Sequence, residues 1–103
     1  MAPELSLPVM WSEHDGPARP GRLDLSSSTL RLEGGSRDGA HTRELELTEI
    51  ARAYIGRTQT ERIGGRTTLV LELRGGGTLR VTGVEHPGAV RELADRILRI
   101  APG

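Results

Sequence analysis

For most of the chain the apolar residues recur at every second position, and then, near the end, they switch to helical spacing. Leu5, Leu7, Val9 and Trp11 make the first alternating run. Further runs cover Arg22–Leu25, Leu30–Glu33, Arg43–Leu47, Thr67–Arg74 and Thr78–Thr82. A period of two sends alternate side chains to opposite faces, so each run reads as a half-buried strand. From Pro87 onward, Val90, Leu93, Ala94, Ile97 and Leu98 stand at i, i+3, i+4, i+7 and i+8, one stripe of an amphipathic helix. About seven short strands followed by one helix is an α+β pattern, mainly β. The helix stripe needs an apolar surface to cover. The open end of a strongly bent antiparallel sheet, or of a partly open barrel, supplies it.

The residues between the runs place the turns. Ser26-Ser27-Ser28 joins two alternating runs into a hairpin, and Gly75-Gly76-Gly77 does the same for the last pair, because glycine accepts positive φ. Longer polar stretches at Ser12–Gly21, Gly34–His41 and Gly56–Arg66 read as loops. Pro8 lacks a backbone N–H, which puts the first strand at a sheet edge or a bulge. Ile50–Arg57 contains good helix formers, but it is short and Gly56 ends it, so it reads as a strand. Ala51, Ala53 and Ile55 would then share one face, with Arg52 and Tyr54 on the other. Pro87 suits the first helical position, and Glu92 and Arg96 form an i,i+4 pair.

A chain of 103 residues supports one domain, 1–103, with a single core. Phe is absent and the only aromatics are Trp11 and Tyr54, so Leu, Ile and Val must fill that core. Basic and acidic residues balance at a formal net charge of zero, which argues against nucleic acid as a partner, since phosphate neutralisation needs a basic excess. All the strong bases are Arg; scattered as they are, they fit the codon composition of a GC-rich genome. Without Cys there is no disulfide or thiolate chemistry. Neither a secretory signal nor an apolar stretch of membrane-spanning length is visible, so the expected location is cytoplasmic.

Enzymatic chemistry finds no support in the sequence. His14, His41 and His86 are scattered among loops and the helix start, and His14 beside Asp15 is adjacency rather than a dyad. The three histidines make no metal-ligand set. Gly75-Gly76-Gly77 lacks the Lys, the hydroxyl and the following helix of a phosphate loop. The expectation is no catalytic residue, no metal and no cofactor. Two arginine-bearing stretches remain. Arg57, Arg62 and Arg66 share one loop beside Tyr54, with Ile63 expected to be exposed; forks and hydroxyls there suit an anionic group or an acidic partner. The plainer reading is a mobile loop, its tip loosened by Gly64-Gly65. Trp11 reads as a core or rim residue.

In element order and spacing, nearly the whole chain resembles the pleckstrin-homology-like superfold, in particular small bacterial pleckstrin-homology or GRAM-type domains. The resemblance is carried by the paired runs Arg22–Leu25 and Leu30–Glu33, by Leu45–Leu47 leading into Thr48-Glu49-Ile50, by the hairpin Leu69–Leu73 and Leu79–Val81, and by the helix Pro87–Ile100. It implies an orthogonally packed seven-stranded sheet plugged at one end by the helix. Members bind phosphoinositides, peptides or proteins, or act as scaffolds. The lipid-binding members use basic residues between the first two strands, where this chain offers Arg19 and Arg22 opposed by Glu13 and Asp15. Contact with a membrane surface is therefore disfavoured. The expected function is a non-catalytic module that binds a protein or peptide, or a second copy of itself. One candidate edge for accepting another strand is the Pro8-weakened first strand. The alternative is anion or lipid-headgroup binding through the arginine-bearing loops.

Overall fold

The alternating runs become seven strands in the computed structural model, which describes residues 5–13, 16–36, 39–84 and 88–100. The strands are β1 (Leu5–Glu13), β2 (Arg19–Leu25), β3 (Thr29–Ser36), β4 (Gly39–Glu46), β5 (Ile50–Ile55), β6 (Thr68–Leu73) and β7 (Thr78–Gly83). A single 3-10 turn, Leu47–Glu49, links β4 to β5, and the helix α1 spans Gly88–Ile100. All pairings are antiparallel, in the order β4-β3-β2-β1-β7-β6-β5. The sheet curls into a half-barrel, and α1 packs against β5, β6 and β7 to close it.

Alternation decides what lies inside. Val9, Trp11, Leu23, Leu25, Leu30, Leu32, Leu69, Leu71 and Val81 are wholly buried on the concave face. Val90, Leu93 and Ile97 of α1 complete that core, with Ala94 beside them. Trp11 is its largest side chain, and its indole N–H donates to the Glu33 carbonyl at 3.0 Å, so the ring is buried without losing a hydrogen bond. The Glu92–Arg96 pair forms at 3.2 Å on the solvent side of α1. Gly76 has a φ of +98°, the positive value expected for the last hairpin turn. Pro87 and His86 lie outside the described residues, as do His14, Asp15 and the side chains of His41 and Leu98.

The strand limits and positions correct four expectations. First, β1 is not an edge: it pairs with β2 on one side and β7 on the other. Pro8 is tolerated because the β1–β7 ladder stops at Val9↔Gly83. Its carbonyl still accepts from Val84 N at 3.3 Å, so its missing donor also faces the β7 side, just past that strand's end. Second, the Ser12–Gly21 loop is shorter than expected, since β1 runs to Glu13 and β2 begins at Arg19. Gly21 belongs in β2 because β3 passes so close that a Cβ there would meet the Glu33 carbonyl oxygen at 1.6 Å. Third, Gly34–Ser36 and Gly39–His41 are strand rather than loop: β3 and β4 stay paired out to Ser36↔Gly39. Fourth, Ala51 does not share a face with Ala53 and Ile55. A bulge between Ile50 and Arg52 leaves Ala51 exposed and sends Ile50 into the core instead.

Candidate functional site

The two arginine-bearing stretches meet different fates. Arg19 and Arg22 sit an odd number of residues apart on an unbroken strand, so β2 sends them to opposite faces. Arg19 lies over the Trp11 ring, 5.7 Å from its centroid. Arg22 donates to Ser6 Oγ at 2.8 Å and to Asp24 Oδ1 at 3.3 Å. One anion cannot be held by both.

The loop after β5 is built around a carboxylate. Thr58-Gln59-Thr60-Glu61 is a capping box. Glu61 N donates to Thr58 Oγ1 at 3.3 Å, and Glu61 Oε1 accepts from Thr58 N at 3.1 Å in return. The same oxygen accepts from Arg57 N at 3.0 Å and Thr58 Oγ1 at 3.1 Å, while Oε2 accepts from the Tyr54 hydroxyl at 3.0 Å. The Arg57 and Thr58 amides lead in holding the Glu61 carboxyl down at about 2, with the Tyr54 bond adding to them. Conversely, the Tyr54 hydroxyl is pushed up to about 12, first by desolvation and then by its bond to that carboxylate. Gly56 makes the fold-back possible, since a Cβ there would meet Glu61 Cβ at 2.9 Å.

Beyond Glu61 the loop lies down on the convex face of β6 and β7. Ile63 is buried, not exposed, as are the outward-facing Val70, Thr68 and Thr82. Hydrogen bonds fix it there: Ile63 N to Thr68 Oγ1 at 2.9 Å, Thr68 Oγ1 to Arg66 O at 2.9 Å, and Thr82 Oγ1 to Thr67 O at 2.7 Å. Arg80 reaches up from β7, donating to Thr60 O at 2.6 Å and to Ser12 Oγ at 3.2 Å. Gly64 and Gly65, with φ of +59° and +72°, form the turn that returns the chain to β6.

Between this loop, β5 and α1 lies an open cleft of about 840 Å³. It is lined by Arg52, Tyr54, Ile55, Gly56, Arg57, Thr58, Glu61, Arg62 and Arg91. Tyr54, Arg57 and Arg62 are thus brought together, whereas Arg66 is exposed outside the cleft. Arg52, Arg91 and Glu61 were not singled out from the sequence. Of these, only Glu61 had a local signal, the Thr-x-x-Glu spacing; Arg91 arrives from a distant helix. Arg52 stacks over Tyr54, its guanidinium 4.7 Å from the ring centroid. Arg62 donates to Gly56 O at 3.3 Å. None of the four arginines forms an ion pair among the described residues, and the one lining carboxylate is already occupied by amide and hydroxyl donors. The cleft therefore offers guanidinium forks to an incoming anion.

The cleft also runs along an open sheet edge. β5 ends the sheet, and Gly56 N donates to Thr68 O at 2.9 Å. By antiparallel alternation Tyr54 and Arg52 then turn their backbone groups to β6, and Ala53 and Ile55 turn theirs outward. Among the described residues no group of His, Cys, Asp or Glu is placed to hold a metal ion, and no helix is long and apolar enough to cross a membrane.

The sequence matches no protein-family model and no curated protein. Solved structures do match. The C-terminal domain of an unknown protein from Leishmania infantum superposes with a TM-score of 0.70 at 13% identity, over 94% of this chain and 84% of that one. The N-terminally truncated linker-DH/PH domains of p115-RhoGEF superpose with a TM-score of 0.67 at 12% identity. That match spans 98% of this chain and 29% of the RhoGEF chain. Such identities speak for the fold alone: a curled seven-stranded antiparallel sheet with one C-terminal helix, which is a pleckstrin-homology-like fold.

Proposed function

We propose that this domain is a non-catalytic interaction module that captures an extended, acidic segment of a partner protein in the cleft between β5 and α1. One observation carries the reading: the open edge of β5 and the guanidinium groups without ion-pair partners occupy the same place. A segment laid along β5 would bond to the outward backbone groups of Ala53 and Ile55, and its acidic side chains would meet Arg52, Arg57, Arg62 and Arg91. The first strand no longer serves as the docking edge, because β7 covers it. Headgroup binding through Arg19 and Arg22 loses its geometric basis on the two faces of β2.

Fluorescence anisotropy with a labelled Glu-rich peptide, set against a Gln-rich peptide of the same length, tests the reading. The Glu-rich peptide should bind, more weakly as salt rises. Arg57→Glu combined with Arg91→Glu should abolish that binding and leave the melting curve in place. No binding at low ionic strength, or equal binding by the double variant, overturns the proposal. Capture of phosphoinositide vesicles with no peptide binding would reassign the cleft to a headgroup.

A further inference from the structure

The other edge strand of the sheet carries the opposite charge. β4 is that edge, and its exposed Glu44 and Glu46 are followed by exposed Glu49 in the 3-10 turn. None of the three makes an ion pair among the described residues, although the residues around them do: Arg22 with Asp24, Arg31 with Glu33, Arg43 with Glu13. Glu46 and Glu49 bond reciprocally to each other's backbone amides, which holds both carboxylates at the surface without neutralising them. Around the β5 edge, Arg52, Arg57, Arg62 and Arg91 are likewise without ion-pair partners among the described residues. With a net charge of zero, the chain carries a basic set along one edge strand and an acidic set along the other.

We infer that the occupant of the cleft is the β4 edge of a second copy of this chain, so that copies associate head to tail through their sheet edges. The inference rests on the reading of the cleft as a dock for an acidic, extended segment, and it names that segment. Charge selects among the ways two copies can meet. A two-fold contact of β5 with β5 sets arginines against arginines, and one of β4 with β4 sets glutamates against glutamates; both repel. Only β4 against β5 joins opposite signs. Six antiparallel steps separate β4 from β5, so the two strands run in the same direction. Where the two edges meet with these directions kept, the pairing between copies is parallel. Such a contact is heterologous, leaving one free edge of each kind at the ends of every chain of copies.

Sedimentation velocity over a concentration series, at low and then high ionic strength, tests this. Wild type should associate at low salt and dissociate at high salt. Glu44→Arg with Glu46→Arg gives a copy with two basic edges, which should be monomeric yet still bind the Glu-rich peptide. Arg52→Glu with Arg57→Glu gives two acidic edges and should lose both self-association and peptide binding. Mixing the two variants should restore a complex. Wild type that stays monomeric at low salt while binding the peptide overturns the inference and leaves the proposed function standing. Wild type that neither associates nor binds peptide overturns the proposed function itself. Association that persists in the Glu44→Arg, Glu46→Arg variant also overturns the inference.

Discussion

The concave face of the sheet is covered by α1 and the convex face, over β6 and β7, by the loop between β5 and β6. The helix presents Val90, Leu93 and Ile97 as a continuous apolar stripe, and burial alone explains why it stays. The loop presents one large apolar side chain, Ile63, and is otherwise held by hydrogen bonds to Thr68, Thr82, Arg80 and the Glu61 carboxylate. An apolar stripe tolerates changes in detail. A set of directional bonds positions individual groups, and two of the cleft's arginines, Arg57 and Arg62, hang from the second kind of cover.

The difference can be broken first on the helix side. Leu93→Ala should cost about 2–5 kcal/mol in chemical denaturation, because Leu93 is wholly buried. An unchanged midpoint would mean that α1 does not close the core. On the loop side, Ile63→Ala should cost about 2 kcal/mol, the low end of the same range, since the site is shallow. Its effect should be local, with hydrogen exchange accelerating between Gly56 and Thr68 and not in α1. Accelerated exchange throughout would show that the two covers are one cooperative unit.

Replacing Arg57, Arg62 and Arg66 by Ser should shift stability by only about 0–1 kcal/mol, as exposed charges do. The same change should remove Glu-rich peptide binding. Retained binding would detach function from the loop cover. The smallest effect concerns pH. The Glu61 carboxyl is held at about 2 against 4.5 when unperturbed. Its contribution to loop order is therefore complete above pH 4.5 and is lost as pH falls through about 2. The Tyr54 phenol, raised from 10.0 to about 12, works in the other direction: its contribution is complete below pH 10.0 and is lost as pH rises through about 12. Tyr54 is the only tyrosine, so an absorbance titration reads it alone. Glu61→Gln should lower its titration midpoint from about 12, and a midpoint that does not move would break the link between strand and loop.

Most of the helix cover was legible in the sequence, and most of the loop cover was not. Alternation in Leu23–Leu25, Leu30–Leu32 and Leu69–Leu71 assigns faces without knowledge of neighbours, and the spacing of Val90, Leu93 and Ile97 does the same for α1. Neighbour relations are another matter. Pro8 suggested an edge, yet its missing donor costs little where the adjoining ladder ends, and only the position of Gly83 reveals that. The same local reading left Ile63 in solvent, because a residue in a polar loop shows no period. Thr58-x-x-Glu61 was a usable signal, since that spacing ties a turn together whatever surrounds it. Arg52 and Arg91 had no such signal. Their meeting depends on how α1 crosses β5.

The central position of β1 has a consequence for the order in which the molecule can be made. During synthesis β1 emerges before β2, β3 and β4, which can then add in turn, β2 on β1, β3 on β2 and β4 on β3, each pair close in sequence. Its second neighbour arrives much later, since Val9 pairs with Gly83. Until then the nascent four-stranded meander shows β1 as a raw border, the kind of surface on which unfinished chains stick to one another. Pro8 stands on that border with no proton to donate on the very side left waiting. A strand that tried to pair there in place of β7 would find one ladder donor missing.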